Sequence, residues 1–366
     1  MAQIDKPNLH FNTVLYTGDG ATSTAGTLAR TISGVGFQPD FTWVKGRTSG
    51  GYDSHGLHDA VRTAPKWLRS DGTDQEYDVR TGFGSGGIGS FTSDGFGIFS
   101  GTTGATTNYN TSSTTYVAWN WKANGQGSAN TTGTINTTYT SANTTAGFSI
   151  CTWTGTGTAG TIGHGLSAVP KMIIIKRLDS ADNWWVYHVS NSEANSSNDA
   201  YLELNAQNAA STSGGSGIFN STAPTSSVFS IGTNGGVNAS GGTYVAYVFA
   251  EKKGFSKFNR YEGNSNAFGT FVYTGFKPAF LIVKPIDASD NWVLFDNKRE
   301  GYNVDNDFLY ANSTAAENDA DIIDLLSNGF KMRNSGNTNN RSSTFVYWAI
   351  AENPLVGSNG IPAVAR

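Results

Sequence analysis

The chain of 366 residues holds one cysteine, Cys151, so no intramolecular disulfide can form and the fold does not depend on an oxidising compartment. Set in "GFSICTWTG", which reads as a strand, this thiol is expected to be buried and inert. Charge is scarce as well. Charged side chains make up 14% of the chain and the net charge is -4, with no Lys/Arg block, so the electrostatic footprint of a nucleic-acid or anionic-membrane partner is missing. No run of 18 or more apolar residues is present, and "MAQIDKPNLHF" lacks the apolar core of a signal peptide. These absences predict no nucleic-acid partner, no membrane insertion and a protein folded where it is made. Strong helix formers are few too. With 45 glycines and with Ser, Thr and Asn at most polar positions, the composition disfavours helix interiors, whereas its Thr, Val, Tyr, Phe and Trp suit strands. An all-β chain is expected.

What the sequence does contain is repetition. Six blocks recur in the same order three times, at a spacing of roughly 100–130 residues, longer than solenoid periods. They are "LYTGDG", "TWTGTG" and "RYEGNS"; "GFQPDFTWVKG", "GLSAVPKMIIIKR" and "GFKPAFLIVKP"; "YDSHGLHDA", "SADNWWVYH" and "ASDNWVLFD"; "KWLRS", "AYLELN" and "DFLYAN"; "FTSDGFGI", "SSVFSIGT" and "LLSNGFKM"; and "TTYVAWNWKANG", "GTYVAYVFAEKKG" and "STFVYWAIAENP". Each reads as a strand of four to eight residues bounded by turn residues. The last block is apolar at both parities, as a strand buried on both faces would be. The predicted architecture is all-β: three tandem repeated β-sandwich (jelly-roll-like) domains with short extended terminal arms. Its parts are an N-terminal arm 1–13, repeat 1 at 14–125, a Gly/Ser/Thr/Asn linker 126–147, repeat 2 at 148–253, repeat 3 at 254–353 and a C-terminal arm 354–366. Repeats 2 and 3 are expected to form a rigid pair with repeat 1 attached more loosely, and the arms to lie against a neighbouring subunit. Helix is expected only as short turns near "DAVRTAPKWLR" and "TAAENDADIIDLLSN".

The third block carries the candidate site. Asp182-Asn183 and Asp290-Asn291 can cap their own backbone as Asx-turns, while Asp179, Asp182 and Asn183, and equally Asp287, Asp290 and Asn291, are the alternative as a Ca2+ loop. Neither loop has the glycine or distal glutamate of an EF-hand. Trp184 and Trp185 are adjacent, so one is expected to point inward and the other, Trp185, outward, to pack on a neighbouring subunit or stack on a sugar ring; Trp292 is alone in its copy. The first copy has lost both the Asp-Asn turn and the tryptophan. Catalytic constellations are weak. The matches to G-x-G-x-x-G, "GTGTAG" and "GSGGIG", are followed by strands and read as turns, no H-E-x-x-H or G-x-S-x-G occurs, and the cluster of His55 and His58 with Asp53 and Asp59 reads first as a polar loop. A non-enzymatic protein without a cofactor is expected.

The blocks "VGFQPDFTWVKGR", "PKMIIIKRLDSADNWWVYH", "VFAEKKGFSKFNRYEGN", "FVYTGFKPAFLIVK" and "AENPLVGSNGIPAVAR" resemble repeats of uncharacterised structural proteins of tailed bacteriophages, chiefly those of marine bacteria and cyanobacteria. The resemblance runs over nearly the whole chain and carries over no catalytic residue. It implies a virion protein, a tail appendage or fibre or a head decoration, whose partners are copies of itself and other virion proteins. The alternative it leaves open is an adhesin that binds a host surface glycan during adsorption.

Overall fold

The computed structural model describes residues 3–48, 54–299, 303, 307–336, 339–358 and 360. The same sheet order recurs along the chain. In repeat 1 the main sheet runs Phe11–Thr17, Thr115–Trp121, Phe41–Gly46, Gly56–Asp59, and a small sheet runs Leu28–Ser33, Gly95–Phe99, Gly87–Thr92. Repeat 3 places Ser256–Glu262, Thr344–Pro354, Phe276–Pro285, Val293–Asp296 and Leu309–Tyr310 in the same order, with Phe271–Tyr273, Gly329–Met332 and Ile323–Leu326 as its small sheet. Repeat 2 orders Phe148–Thr154, Thr243–Ala250, Pro170–Arg177, Trp185–His188 and Leu202–Glu203, opposite the pair Gly160–Gly163 and Val228–Ile231. The first and last strands of each copy pair antiparallel over seven residues, so each sandwich is closed by its own ends.

The last strand shows why both parities are apolar. Tyr244, Ala246 and Val248 face a local core between the two sheets of repeat 2, while Val245, Tyr247 and Phe249 face away into a core shared by all three repeats. Repeat 3 divides Phe345, Tyr347 and Ala349 from Val346, Trp348 and Ile350 in the same way, and repeat 1 divides Tyr116 and Ala118 from Val117, Trp119 and Trp121. Period-2 alternation therefore serves two cores rather than one core and solvent. At about 1.5–3 kcal/mol for each large apolar side chain buried, both faces contribute heavily.

This shared core corrects the expectation of three independent domains. Its residues run from Ile4 to Ile350, and Phe41 of repeat 1 stacks on Tyr247 of repeat 2 at 4.3 Å between ring centroids, so the first copy is not loosely attached. The expected linker is also structure. Ser128–Asn130 and Thr137–Asn143 extend the edge of the repeat 2 main sheet, because Thr and Ser tolerate a half-exposed ladder and because Ile135 anchors the segment in the local core. The helices among the described residues are Val189–Ala194, Ser216–Phe219 and Gly235–Asn238, all in repeat 2, plus a 3-10 turn at Pro7–Leu9. "DAVRTAPKWLR" and "TAAENDADIIDLLSN" contain none; Ile323 and Leu325 enter the repeat 3 core from a hairpin strand that turns through Ser327-Asn328. The 1–13 boundary moves as well, since Phe11 to Thr13 already belong to a strand. The described arm residues bind their own chain: Gln3 Nε2 donates to Val356 O at 2.6 Å, Ser358 N to Asp5 Oδ1 at 3.0 Å, and Ile4 N to Lys253 O at 3.2 Å. Cys151 is fully buried, and burial pushes its thiol up to about 12.

Candidate functional site at the repeat junctions

In the third block the Asp-Asn turn is held by its own polar atoms. Asp182 Oδ1 accepts from Asn183 N at 2.8 Å and from the Trp185 indole at 3.2 Å, and Asp290 Oδ1 accepts from Asn291 N at 2.8 Å. A second amide then locks hairpin to neighbour strand. Asn205 takes Trp184 N at 2.8 Å and donates to Asn183 Oδ1 at 2.9 Å; Asn312 takes Trp292 N at 2.9 Å and donates to Asn291 Oδ1 at 2.8 Å; in repeat 1 Asp71 takes His55 N at 2.8 Å. Asp53 lies outside the described residues.

These turns aim a ring nitrogen across each junction. Trp184 Nε1 in repeat 2 donates to Arg69 O in repeat 1 at 2.8 Å, and Trp292 Nε1 in repeat 3 donates to Glu203 O in repeat 2 at 2.9 Å. The circle closes through His55 of repeat 1, whose Nε2 lies 2.9 Å from Tyr310 O in repeat 3. Because His55 Nδ1 accepts the Trp43 indole N–H at 2.8 Å, its proton sits on Nε2 and that atom is the donor. The first copy has thus kept the function of the tryptophan it lacks. Burial, reinforced by the Lys45 charge, holds His55 neutral, well below the usual histidine range.

A second circle runs in the same sense. The lysine that ends the second block reaches a carbonyl of the preceding repeat: Lys176 to Thr73 O at 3.0 Å, Lys284 to Gln207 O at 3.1 Å, and Lys45 to Thr314 O at 3.2 Å. Burial pushes the Lys176 and Lys284 ammonium groups down to about 8. Backbone bonds close a third circle whose donors run the opposite way, Glu76 N to Leu178 O, Ala210 N to Ile286 O and Glu317 N to Arg47 O, at 2.9, 2.7 and 2.8 Å. Three copies of one block are therefore interlocked head to tail into a closed ring.

Two junctions add buried ion pairs. Arg62 binds Asp59 at 2.6 Å and Glu76 at 2.9 Å, and Tyr247 of repeat 2 donates to the same Asp59 at 2.8 Å. Arg299 binds Asp296 at 2.6 Å and Glu317 at 2.7 Å, and Trp119 of repeat 1 donates to Asp296 at 3.0 Å. Burial alone would raise the Asp296 pKa, but the Arg299 charge and hydrogen bond outweigh it and leave it below the usual carboxylate range. Sequence reasoning placed Asp59 in a polar loop and missed its ion pair, the second pair and the role of the lysines. The signal was Asp-x-x-Arg directly after the third block, "DAVR" and "DNKR".

The candidate residues end up inside. Trp184 and Trp292 are buried at the junctions, and Trp185, expected outward, is 9% exposed and packs edge-on against Tyr201. The two adjacent tryptophans do face opposite ways, but the second face is covered by the small sheet and the helix Gly235–Asn238. The equivalent position in repeat 1 is Gly56, where a Cβ would collide with the Tyr109 hydroxyl. The acidic candidates do not converge as a cation loop either. Asp179 pairs with Arg177 at 3.1 Å and accepts Thr243 N, Asp287 accepts Thr344 N, and Asp290 lies 3.7 Å from Arg341. With Lys176 and Lys284 beside them, these loops oppose a Ca2+ ion, and no group of three metal-ligating side chains occurs among the described residues. His58 donates its Nδ1 proton to Ala64 O at 2.7 Å and joins His55 in no metal-ligating group among the described residues.

Fold and junctions define an all-β protein built as a closed ring of internal repeats. The chain belongs to a family described as a domain of unknown function (DUF7483), which matches residues 6–354. No curated protein and no solved structure matches it.

Proposed function

We propose that this chain is a structural component of a tailed-bacteriophage particle, a tail appendage or a head decoration, which works as a prefabricated rigid block. The observation that carries the reading is the circle of Trp184, Trp292 and His55. The most chemically distinctive side chains of the shared motif are occupied in holding the repeats together. The bacteriophage setting comes from the resemblance of the repeats themselves. In this reading the ring replaces an interface between separate subunits, and other virion proteins or further copies meet its outer faces. Stacking of a host glycan on Trp184, Trp185 or Trp292 is set aside, since all three are buried.

An antibody against the folded chain should label purified particles of the phage that encodes it, with tail or head decided by where the label sits. A chain abundant in infected-cell lysate but absent from particles purified to constant composition would refute the proposal.

A further inference from the structure

One departure from the ring's own pattern leaves open space. Where repeat 1 meets repeat 3 a cleft of about 310 Å³ opens, and three aligned positions differ there from the other junctions. Thr13 pairs with Trp119 as Ile150 pairs with Tyr247 and Phe258 with Trp348, so a small hydroxyl side chain stands where the other copies carry a large apolar one. Ala279 stands where they carry Asp40 and Lys171. Asn297 stands where they carry Ala60 and Val189; its N–H bonds Ala279 O at 3.1 Å just as Ala60 N bonds Asp40 O at 2.9 Å. Two of these changes remove bulk and the third adds an amide.

The polar atoms so placed have no protein partner. Asn297 is 5% exposed and Thr13 7%, yet neither the amide nitrogen nor the amide oxygen of Asn297, nor the Thr13 hydroxyl, makes a hydrogen bond within the chain. A buried polar group left so costs about 1–3 kcal/mol, so a fold that carries both side by side, facing one cleft, is built for something that satisfies them.

We propose that this cleft binds a sugar residue. Its lining offers donors and acceptors together: the Asn297 amide, the Thr13 hydroxyl, and the exposed Asn8 and Asn353 at the mouth. Paired hydroxyls of a neutral ligand match that mixture. An anion would find only the Lys298 ammonium as a fixed charge and would face Glu352, which Lys277 holds at 2.6 Å; a cation would meet Lys298 itself. The volume lies at the low end of the range for ligand pockets, about 300–1,000 Å³, which suits one ring rather than a chain. This goes beyond the structural role above and stands or falls separately from it.

Saturation-transfer NMR on the full chain with glucose, galactose, mannose and N-acetylglucosamine at millimolar concentration tests it, with inorganic phosphate and Ca2+ as competitors. Thr13→Ile and Asn297→Ala install residues that other repeats already accommodate at the same places, and Asn353→Ala alters only the mouth. At least one sugar should give a signal that Thr13→Ile abolishes and Asn297→Ala weakens by about tenfold, the loss of a buried hydrogen bond or two, without displacement by phosphate or Ca2+. Silence from all four sugars overturns the proposal, as does a signal that survives all three substitutions or one that either ion displaces.

Discussion

The junction of repeat 2 with repeat 3 and the seam between repeat 3 and repeat 1 occupy equivalent places in the ring and are built from different chemistry. Between repeats 2 and 3 the chain crosses directly, from Ala250 to Ser256, and the positions of Asp296 and Arg299 are taken by His188 and Asn191. His188 is neutral there, bonding Tyr347 O at 3.1 Å through Nε2 and capping the helix Val189–Ala194 through Nδ1. At the seam no covalent link joins the two strands that meet. It carries a network of charges: Arg299 with Asp296 and Glu317, Arg47 with Glu317 at 2.7 Å and Asp307 at 3.6 Å, and the Arg299 guanidinium 5.7 Å above the Trp119 ring. A short tether holds two sheets near one another whatever their contacts, whereas a seam closed only by non-covalent contacts needs ones that reject other registers. Buried ion pairs are weak stabilisers but good discriminators of register, and the seam uses them for that.

The largest effect should follow from cutting the seam. Arg299→Ala strands Asp296 and Glu317 without their buried partner and should cost about 3–5 kcal/mol in urea unfolding. Asn191→Ala, at the same place in repeat 2, should cost about 1 kcal/mol or less. Equal losses would erase the distinction between the junctions. Next come the ring bonds. Trp292→Phe keeps most of the apolar surface but leaves Glu203 O without its donor, for a loss of about 1–3 kcal/mol, and Trp184→Phe should match it at Arg69 O. A much smaller loss from either would mean that its hydrogen bond does not hold the junction.

Acid should sharpen the picture further. Burial holds His58 down to about 3 and His188 to about 4, with His55 also depressed, so below the unfolded value of 6.5 the unfolded chain binds more protons than the folded one. Stability is therefore full above that value and declines as pH falls through the window, by up to about 1.4 kcal/mol per pH unit for each histidine. Urea midpoints measured from pH 7 to pH 4 should show this, and a profile flat to pH 5 would contradict the neutral buried histidines. The smallest effects belong to the turns. Asp182→Ala and Asp290→Ala should each lose about 0.5–1.5 kcal/mol, and a chelator should leave the melting temperature unchanged. A fall in melting temperature on chelation would restore the Ca2+ loop.

Much of this fold was legible in the sequence, and the reason is local. Strand residues, glycine turns and period-2 alternation announce a sheet wherever they occur, and three copies of one order made the repeats visible. The relation between the copies was not legible. Apolar side chains on both faces of "TYVAYVFA" read equally well as the middle of one sandwich or as a wall between two cores, and only contacts remote in sequence decide it. His55 was read as a loss because residue type was compared, while the junction needs only a ring N–H at that place. Trp185 was assigned outward by correct strand geometry, but the second face belonged to another buried layer. The polar stretch 126–147 looked like a linker because edge strands and linkers share a composition.

The repeats form one cooperative ring. Native-state hydrogen exchange on the intact chain tests it most directly, by comparing amides of Thr115–Trp121, Thr243–Ala250 and Thr344–Pro354, the last strand of each copy. The ring predicts that the slowest amides in all three exchange through the same global opening, with equal free energies and equal dependence on denaturant. Amides of repeat 1 that open at markedly lower free energy while those of repeats 2 and 3 stay protected would contradict it.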